Sequence, residues 1–260
     1  MLTLEQLKAQ APSVFAEKPW NGVSDKYVFL PTSEVVNSLM EKGIQPMTVK
    51  QSRTRIEGKY GFTKHMIRFR PTAYQTRVVG GVYPEIVMTN AHDRGSSYIL
   101  ESGMYRLICS NGMVVSAGVN ESYRVRHMGT TIGEVLDATY RIIDNFPQIE
   151  DQVIRFQNMQ LTQEQREKMA EMALGLRWDA GKAPFAAARL LSVRREADKG
   201  TDLWTTFNVI QENITQGQHF SRWNRVSNPG LRSTRGLASI DADLSVNRGL
   251  WKLAEELVSA

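Results

Sequence analysis

Residues 62–70 read Phe62-Thr63-Lys64-His65-Met66-Ile67-Arg68-Phe69-Arg70, and this stretch indicates the fold. Side chains two positions apart on a β-strand point to the same face of a sheet. One face of this strand would carry Lys64, Arg68 and Arg70, whereas the opposite face would carry Ile67 and Phe69. Such alternation is typical of a strand that has one face on the core and the other toward solvent.

Two further stretches repeat the arginine pair at positions i and i+2, namely Arg53 with Arg55 and Arg124 with Arg126. We predict that all three stretches are strands, and that each pair places two positive charges on the polar side of a sheet. Several such pairs facing solvent would repel one another unless a negatively charged ligand lay across them. Two interpretations remain open. The pairs are either solvated strand edges that protect against aggregation, or contacts for nucleic-acid phosphates, with acidic protein or anionic lipid as lesser candidates.

The charge of the chain is unevenly distributed. Its net charge is +5, yet residues 46–130 contain twelve Lys or Arg against five Asp or Glu, and residues 131–180 contain nine acids against five bases. The first half is therefore expected to carry a positive surface and the following region a negative one. With 260 residues, of which 42% are hydrophobic, the chain can bury a core as one large domain or two small ones.

The cysteine content and the amino-terminal sequence limit the expected cellular location. Cys109 is the one cysteine of the chain, so an intramolecular disulfide is impossible and a disulfide-rich secreted protein is excluded. The amino terminus lacks a basic start followed by an apolar run, and no stretch of about 18 consecutive apolar residues occurs. We expect a protein of the bacterial host cytoplasm without a membrane partner.

The periodicity of the hydrophobic residues changes from strand-like to helical after Gly129. We predict a β-rich basic region over residues 1–130, with one early helix capped by Thr32 or Ser33, and a helical region over residues 131–260. A helix over 184–196 is among those predicted in the second region. The predicted fold class is α+β, with a basic antiparallel sheet in the N-terminal half and a mostly helical C-terminal half packed on it as one integrated unit.

A tight β-hairpin is predicted around Asn111-Gly112. This dipeptide lies between the apolar stretches 105–109 and 113–115. Asn-Gly readily supplies the positive φ angles that a tight hairpin turn requires. Gly112 is therefore expected to be needed for its backbone conformation.

A cationic loop is predicted between two helices at residues 218–236. It contains four arginines, two aromatic residues and no acid, which suits phosphate contact by arginine and base stacking by an aromatic ring. The alternative is a long loop that its aromatic side chains pack onto the body of the protein. The binding residues predicted here are Arg222, Trp223, Arg225, Arg232 and Arg235.

The sequence contains no recognisable catalytic or metal-binding motif. Its four histidines are widely separated, without a second histidine at metal-ligand spacing and without a cysteine pair. No catalytic residue, metal or cofactor is therefore predicted. Asp241 and Asp243 could hold a divalent cation, but such carboxylates more often complement the positive end of a helix.

Three segments together resemble a phage- and plasmid-borne family known as domain of unknown function 932. They are YRLICSNG at 105–112, LWTTFNVIQENI at 203–214, and TRGLASIDAD at 234–243 continuing into NRGLWKLAE at 247–255. The resemblance implies a protein of mobile elements and prophage regions without a settled biochemical role. The basic, strand-rich front followed by helices is similar to phage single-strand annealing proteins, by analogy of fold and context.

Three functional hypotheses follow. The first is a nucleic-acid-binding protein that binds or anneals single-stranded DNA in recombination, replication or DNA protection. The alternative is a protein-binding module that inhibits a host defence or repair factor, and the third is a metal-dependent nuclease using Asp241 and Asp243. The predicted partners are thus single-stranded DNA, a host protein and further copies of the chain. The phosphate contacts predicted on the sheet are Arg53, Arg55, Lys64, Arg68, Arg70, Arg124 and Arg126.

Overall fold

A computed structural model describes residues 1–21, 27–107, 111–115, 122–125, 131–217 and 234–259. The chain forms two compact units, Met1–Ile149 and Glu150–Ala260. The first unit thus extends beyond the predicted boundary at residue 130, because the first helix of the predicted helical region packs on the strands of the sheet. The fold is α+β, as predicted.

The first unit contains a six-stranded antiparallel sheet. The strands follow the order β1-β2-β3-β4-β5, and β6 also pairs with β4. Their bounds are β1 (Ile44–Gln51), β2 (His65–Pro71), β3 (Val82–Asn90), β4 (Tyr98–Arg106), β5 (Asn111–Val114) and β6 (Tyr123–Val125).

The described ranges of this unit include the helices α1 (Leu4–Gln10), α2 (Thr32–Glu41) and α3 (Ile132–Asp144). Helix α3 begins with a capping box, in which Thr131 and Glu134 each bond the backbone N–H of the other. The helix contacts β3, β4 and β6. Ile67 and Phe69 of β2 are fully buried, so the apolar parity predicted for residues 62–70 forms part of the core.

The second unit is mostly helical. Helix α4 (Phe146–Asn158) crosses the boundary between the units, and α5 (Gln163–Gly175), α6 (Leu203–Gln216) and α7 (Ile240–Ser259) follow. The core of this unit includes Trp251, whose ring lies 5.0 Å from Phe156 and 5.8 Å from Phe207 between centroids. No helix in the described ranges is both long and apolar enough to cross a membrane.

Two local predictions about helices are wrong. The N-cap of α2 is Pro31, which has no side-chain cap bond, and Thr32 lies inside the helix. Instead of a helix over 184–196, the chain forms short 3-10 turns at Ala187–Leu191 and Glu196–Asp198. The carbonyls of Leu190 and Ser192 accept hydrogen bonds of 2.9 Å from Asn213 Nδ2, so they are not used for a helical ladder.

The hairpin between β4 and β5 is confirmed, but its turn is not at Asn111-Gly112. Asn111 pairs with Arg106, and Gly112 pairs with Tyr105, so both residues belong to β5. Gly112 is not among the glycines with positive φ. Of the residues that join the two strands, 107–110, positions 108–110 lie outside the described part of the chain.

Candidate nucleic-acid interface

The arginines of β2 occupy the predicted parity but are buried. Arg68 is 4% exposed and Arg70 is 6% exposed, and Glu85 of β3, which lies between them, is 0% exposed. Arg70 Nη2 donates to Glu85 Oε1 at 2.7 Å, and Arg68 Nη1 lies 3.5 Å from Glu85 Oε2. The prediction that this pair faces solvent is therefore wrong, because both guanidinium groups are buried around a shared, enclosed carboxylate that offsets one of their two positive charges.

Two glycines make room for the guanidinium group of Arg68. A Cβ at Gly103 would be 3.1 Å from Arg68 Nη1, and one at Gly112 would be 2.4 Å from Arg68 Cζ. The Arg68 guanidinium also donates to the carbonyls of Met113 and Met104, at 3.2 and 3.4 Å. Its donors are thus used within the sheet and are not directed at an external phosphate.

Arg70 is held by aromatic rings in addition to Glu85. Its Cζ lies 4.0 Å from the ring centroid of Tyr83 and 5.8 Å from that of Tyr105. Stacking of a guanidinium on aromatic faces is favourable and excludes water from the cation. Arg68 and Arg70 therefore stabilise the sheet, and we remove both from the candidate binding site.

Arg53 and Arg55 are exposed, but they do not lie on a strand. Strand β1 ends at Gln51, and both arginines lie in the connection to β2. Neither guanidinium group has an ion pair or a hydrogen bond within the described part of the chain. Lys64, the third predicted residue in this region, is half-buried at the end of the connection. We call residues 52–64 the 52–64 loop.

Hydrogen bonds close the neck of the 52–64 loop. Ser52 N donates to Lys64 O at 2.7 Å, and Thr63 Oγ1 donates to Ser52 O at 2.8 Å. From the end of β1, Gln51 Nε2 donates to Tyr60 O at 2.6 Å. These bonds join the two ends of the loop and hold the backbone next to Arg53.

Aromatic residues support the loop from one side. The rings of Trp20 and Phe62 lie 5.2 Å apart, and Trp20 also lies 3.7 Å from the Cβ position of Gly58. Ile56 and Tyr60, in contrast, are 58% and 47% exposed. The loop therefore combines a fixed backbone, two exposed guanidinium groups and exposed apolar surface.

The other predicted cations belong to other segments of the chain. Arg124 is exposed on β6, and Arg235, also exposed, belongs to the second unit. The carbonyl of Arg235 accepts a 2.5 Å hydrogen bond from Arg177 Nη2. The remaining predicted residues, Arg126, Arg222, Trp223, Arg225 and Arg232, lie outside the described residues.

A buried polar cluster that the sequence did not reveal lies on the opposite face of the sheet. Thr32 Oγ1 is 3.0 Å from His65 Nε2 and 3.0 Å from His92 Nε2, while Ser13 Oγ is 2.9 Å from His65 Nδ1. Burial, with the neighbouring His92 as the second cause, lowers the pKa of His65 to about 3. His65 is therefore neutral at pH 7 and adds no positive charge.

The buried cluster does not have the composition of a metal site. His65 and His92 are 27 positions apart in sequence but lie close together. His65 on β2 pairs with Asn90 on β3, and His92 follows Asn90 by two positions. Among the described residues, no group of three or more His, Cys, Asp or Glu side chains could hold a metal ion. The hydroxyl of Thr32 is instead surrounded by hydrogen-bonding groups, which include the amide of Asn90 and the hydroxyl of Tyr98.

Asp241 and Asp243 lie in the first turn of α7. Asp243 Oδ1 accepts a 2.9 Å hydrogen bond from Asn247 Nδ2, one turn further along the helix. Carboxylates in this position interact favourably with the positive end of the helix. The position of both carboxylates is therefore explained by their interaction with the start of the helix, without a bound cation.

Comparisons with known proteins identify relatives over nearly the whole chain. The model of the family described as domain of unknown function (DUF932) matches residues 19–251. Two proteins of Escherichia coli (strain K12), UPF0380 protein YafZ and UPF0380 protein YfjQ, are each 34% identical over 99% of this chain and 92% of their own length. No solved structure shows significant similarity. The chain belongs to the DUF932 family.

Proposed function

We propose that this protein binds nucleic acid, with a preference for single-stranded DNA, through the 52–64 loop. One observation carries the proposal: Arg53 and Arg55 are exposed on a loop whose neck is closed by hydrogen bonds. Their guanidinium groups have no carboxylate partner in the described structure. Cations in such a setting can contact phosphates without first breaking an internal ion pair.

The local charge balance supports the proposal. Residues 50–64 contain five Lys or Arg against one acid, Glu57. Lys59 is bound to Asp93 at 3.0 Å, so it contributes less to an external ligand than the two arginines. A concentration of positive charge on one loop attracts a polyanion and makes its affinity depend steeply on salt. The broader role that we propose is strand binding or annealing in recombination, replication or DNA protection, in a bacterial cytoplasm.

A titration of labelled single-stranded oligonucleotide at several salt concentrations tests the proposal. The informative variant is the double substitution Arg53→Ala with Arg55→Ala. The matched control is Arg155→Ala with Lys252→Ala, which removes the same charge from exposed positions of the second unit.

Loss of two phosphate contacts should lower the slope of log affinity against log salt by about 1.4, and the control should keep the parent slope. Equal affinities and slopes for the two double variants would remove the 52–64 loop from the site. Absence of salt-dependent binding by the parent protein would remove the proposed function itself.

A second candidate function has a specific observation in its favour. Ile56, between the arginines and Tyr60, is 58% exposed, and aliphatic surface beside cations suits an acidic protein partner better than a phosphate backbone. A photo-crosslinking residue at position 56 would test this in host cells. A recurrent acidic host protein, lost with Arg53→Ala and Arg55→Ala, would support the protein-binding function.

A further inference from the structure

We infer that Tyr60 is a base-stacking residue, and that its ring lets the 52–64 loop distinguish single-stranded nucleic acid from duplex. This inference rests on the proposed function and adds the residue that would give the loop its preference for single strands. The two exposed arginines alone attract any polyanion. An exposed aromatic ring at a fixed position adds a contact that only an accessible base face can satisfy.

The backbone of Tyr60 is fixed by its neighbours. Its carbonyl accepts a hydrogen bond from Gln51 Nε2 at 2.6 Å and lies 3.1 Å from Thr63 Oγ1, whose single proton it shares with Ser52 O. The residue begins a short 3-10 turn, Tyr60–Phe62. A ring anchored in this way loses little conformational freedom when a ligand binds, since its backbone is already ordered.

The ring of Tyr60, in contrast, is largely open to solvent. It is 47% exposed, and its phenol makes no hydrogen bond to another described residue. The nearby aromatic residues differ in this respect, since Trp20 and Phe62 are half-buried and contact each other with centroids 5.2 Å apart. Those two rings support the loop, whereas Tyr60 presents ring surface to solvent.

The ring and the cations of the loop supply separable contributions to binding. Arg53 and Arg55 determine how steeply affinity depends on salt, because each phosphate contact releases counterions. Stacking on Tyr60 releases no counterion, so it raises affinity without changing that slope. Ion pairing of Lys59 with Asp93, at 3.0 Å, leaves the cation adjacent to Tyr60 already engaged.

Duplex and single strands differ in what they offer to such a ring. Bases inside a duplex are stacked on their neighbours and expose only their edges in the grooves, whereas unpaired bases expose their faces. Tyr60 can therefore stack on a base of a single strand, but it meets only the backbone or a groove edge of a duplex. The expected result is a preference for single strands that depends on this one side chain.

The test compares Tyr60→Ala with Tyr60→Phe, using matched single-stranded and duplex oligonucleotides over a range of salt. Tyr140→Ala is the control, because Tyr140 lies on α3 of the same unit and is 43% exposed. Tyr60→Ala should lower single-strand affinity by about 5-fold to 150-fold, with the salt slope and the duplex affinity unchanged. Tyr60→Phe, which keeps the ring, and Tyr140→Ala should both bind like the parent protein.

The outcomes separate this inference from the proposed function. Salt-dependent single-strand binding that is unaffected by Tyr60→Ala overturns the stacking role and leaves the arginine site standing. An equal loss of affinity for single strands and for duplex also overturns it, because removing a contact to an unpaired base should leave duplex binding unchanged. Failure of the parent protein to bind any nucleic acid overturns both. A loss with Tyr60→Phe as large as that with Tyr60→Ala assigns the effect to the hydroxyl and overturns stacking.

Discussion

The guanidinium group of Arg68 lies against Gly112 so closely that a Cβ at position 112 would stand 2.4 Å from Arg68 Cζ. Arg68 belongs to β2 and Gly112 to β5, so this contact joins two strands that are not hydrogen-bonded neighbours in the sheet. The φ angle of Gly112 is not positive, so its backbone conformation does not require glycine. Glycine is needed here because any side chain would collide with the guanidinium group. A buried cation and the glycine that admits it are therefore one structural feature of the sheet.

Gly112→Ala is expected to destabilise the first unit by about 1–3 kcal/mol, because the added methyl group would displace the Arg68 guanidinium from its bonds to Met113 O. Urea denaturation followed by circular dichroism measures the change. Gly61→Ala is the control, since nothing lies within 4 Å of the Cβ position of Gly61.

A double-mutant cycle assigns the cause. When Arg68→Ala has already removed the guanidinium group, adding Gly112→Ala should cost much less than it does in the parent protein. An unchanged cost in the Arg68→Ala background would show that the clash with Arg68 is not the reason for glycine at this position.

Glu85→Gln should destabilise the protein by about 3–5 kcal/mol, because it leaves the buried cations Arg68 and Arg70 without their shared carboxylate. Denaturant unfolding provides the free-energy difference. Glu57→Gln, at an exposed position of the 52–64 loop, should change stability by less than about 0.5 kcal/mol. Similar values for the two variants would contradict the structural role of Glu85.

The sequence predicted which face of β2 each residue occupies, but not which face is exposed. The alternation of residues 62–70 is a local pattern, and it placed Arg68 and Ile67 on opposite faces correctly. The burial of Arg68 depends on Glu85, Gly103 and Gly112, which lie on other strands and are 17 to 44 positions away in sequence. No local pattern contains that information, so two buried cations were mistaken for a binding surface.

The same contrast between local and distant causes explains the other outcomes. The boundary between α3 and α4 has a local cause, since α3 ends at Asp144, α4 starts at Phe146, and Pro147 is tolerated in the first turn of a helix but not in its interior. The exposed position of Arg53 depends on the end of β1, which the bond between Thr63 and Ser52 determines. The sequence pattern that predicts a strand at Arg53 and Arg55 extends past that end.

Stability should fall as the pH is lowered from about 6.5 to about 3, in part because of His65. The pKa of this buried histidine is lowered to about 3 in the folded protein, so between these values the unfolded chain binds a proton that the native state does not. This contribution to the free energy of unfolding is complete above pH 6.5, the ordinary pKa of histidine in the unfolded chain. It decreases by about 1.4 kcal/mol per pH unit as the pH falls toward the pKa of about 3 in the folded protein.

Urea titrations of the parent protein and of His65→Gln over this pH range isolate the contribution, because carboxylates affect both proteins alike. The variant should show a shallower loss of stability on acidification. Parallel curves would indicate that His65 is already protonated in the native state, contrary to its burial between Ser13 and Thr32.

Arg195→Lys should destabilise the second unit by about 2–3 kcal/mol. Arg195 Nη1 and Nη2 donate to the two oxygens of Glu212 at 2.6 and 2.5 Å, and Nη1 also donates to Asp198 Oδ2 at 2.8 Å. These bonds, that to Glu212 first, raise the pKa of Arg195 above its ordinary value. Lysine has one ammonium group, which cannot reproduce the planar fork, so one buried carboxylate oxygen would lose its donor.

The neighbouring Arg194 cannot replace the lost fork. Its Nη1 lies 3.9 Å from Glu212 Oε1, while its Nε donates to Asn213 Oδ1 at 2.9 Å. Glu212 and Asp198 are 3% and 1% exposed, so water cannot readily solvate the carboxylates either. Arg195→Ala should therefore cost more than Arg195→Lys, about 3–5 kcal/mol, because both carboxylates then lose this cation.

Lys199→Ala is the matched control for the Arg195 variants. Lys199 Nζ lies 2.6 Å from Glu196 Oε2 in the same segment, but the two side chains are 65% and 84% exposed. An exposed pair of this kind contributes about 0–1 kcal/mol, although its distance is similar to those of the buried pairs. Thermal and urea unfolding should therefore rank the variants as Lys199→Ala, Arg195→Lys and Arg195→Ala in order of increasing loss. A loss for Lys199→Ala as large as that for Arg195→Lys would show that burial of Glu212 and Asp198 does not determine the strength of these pairs.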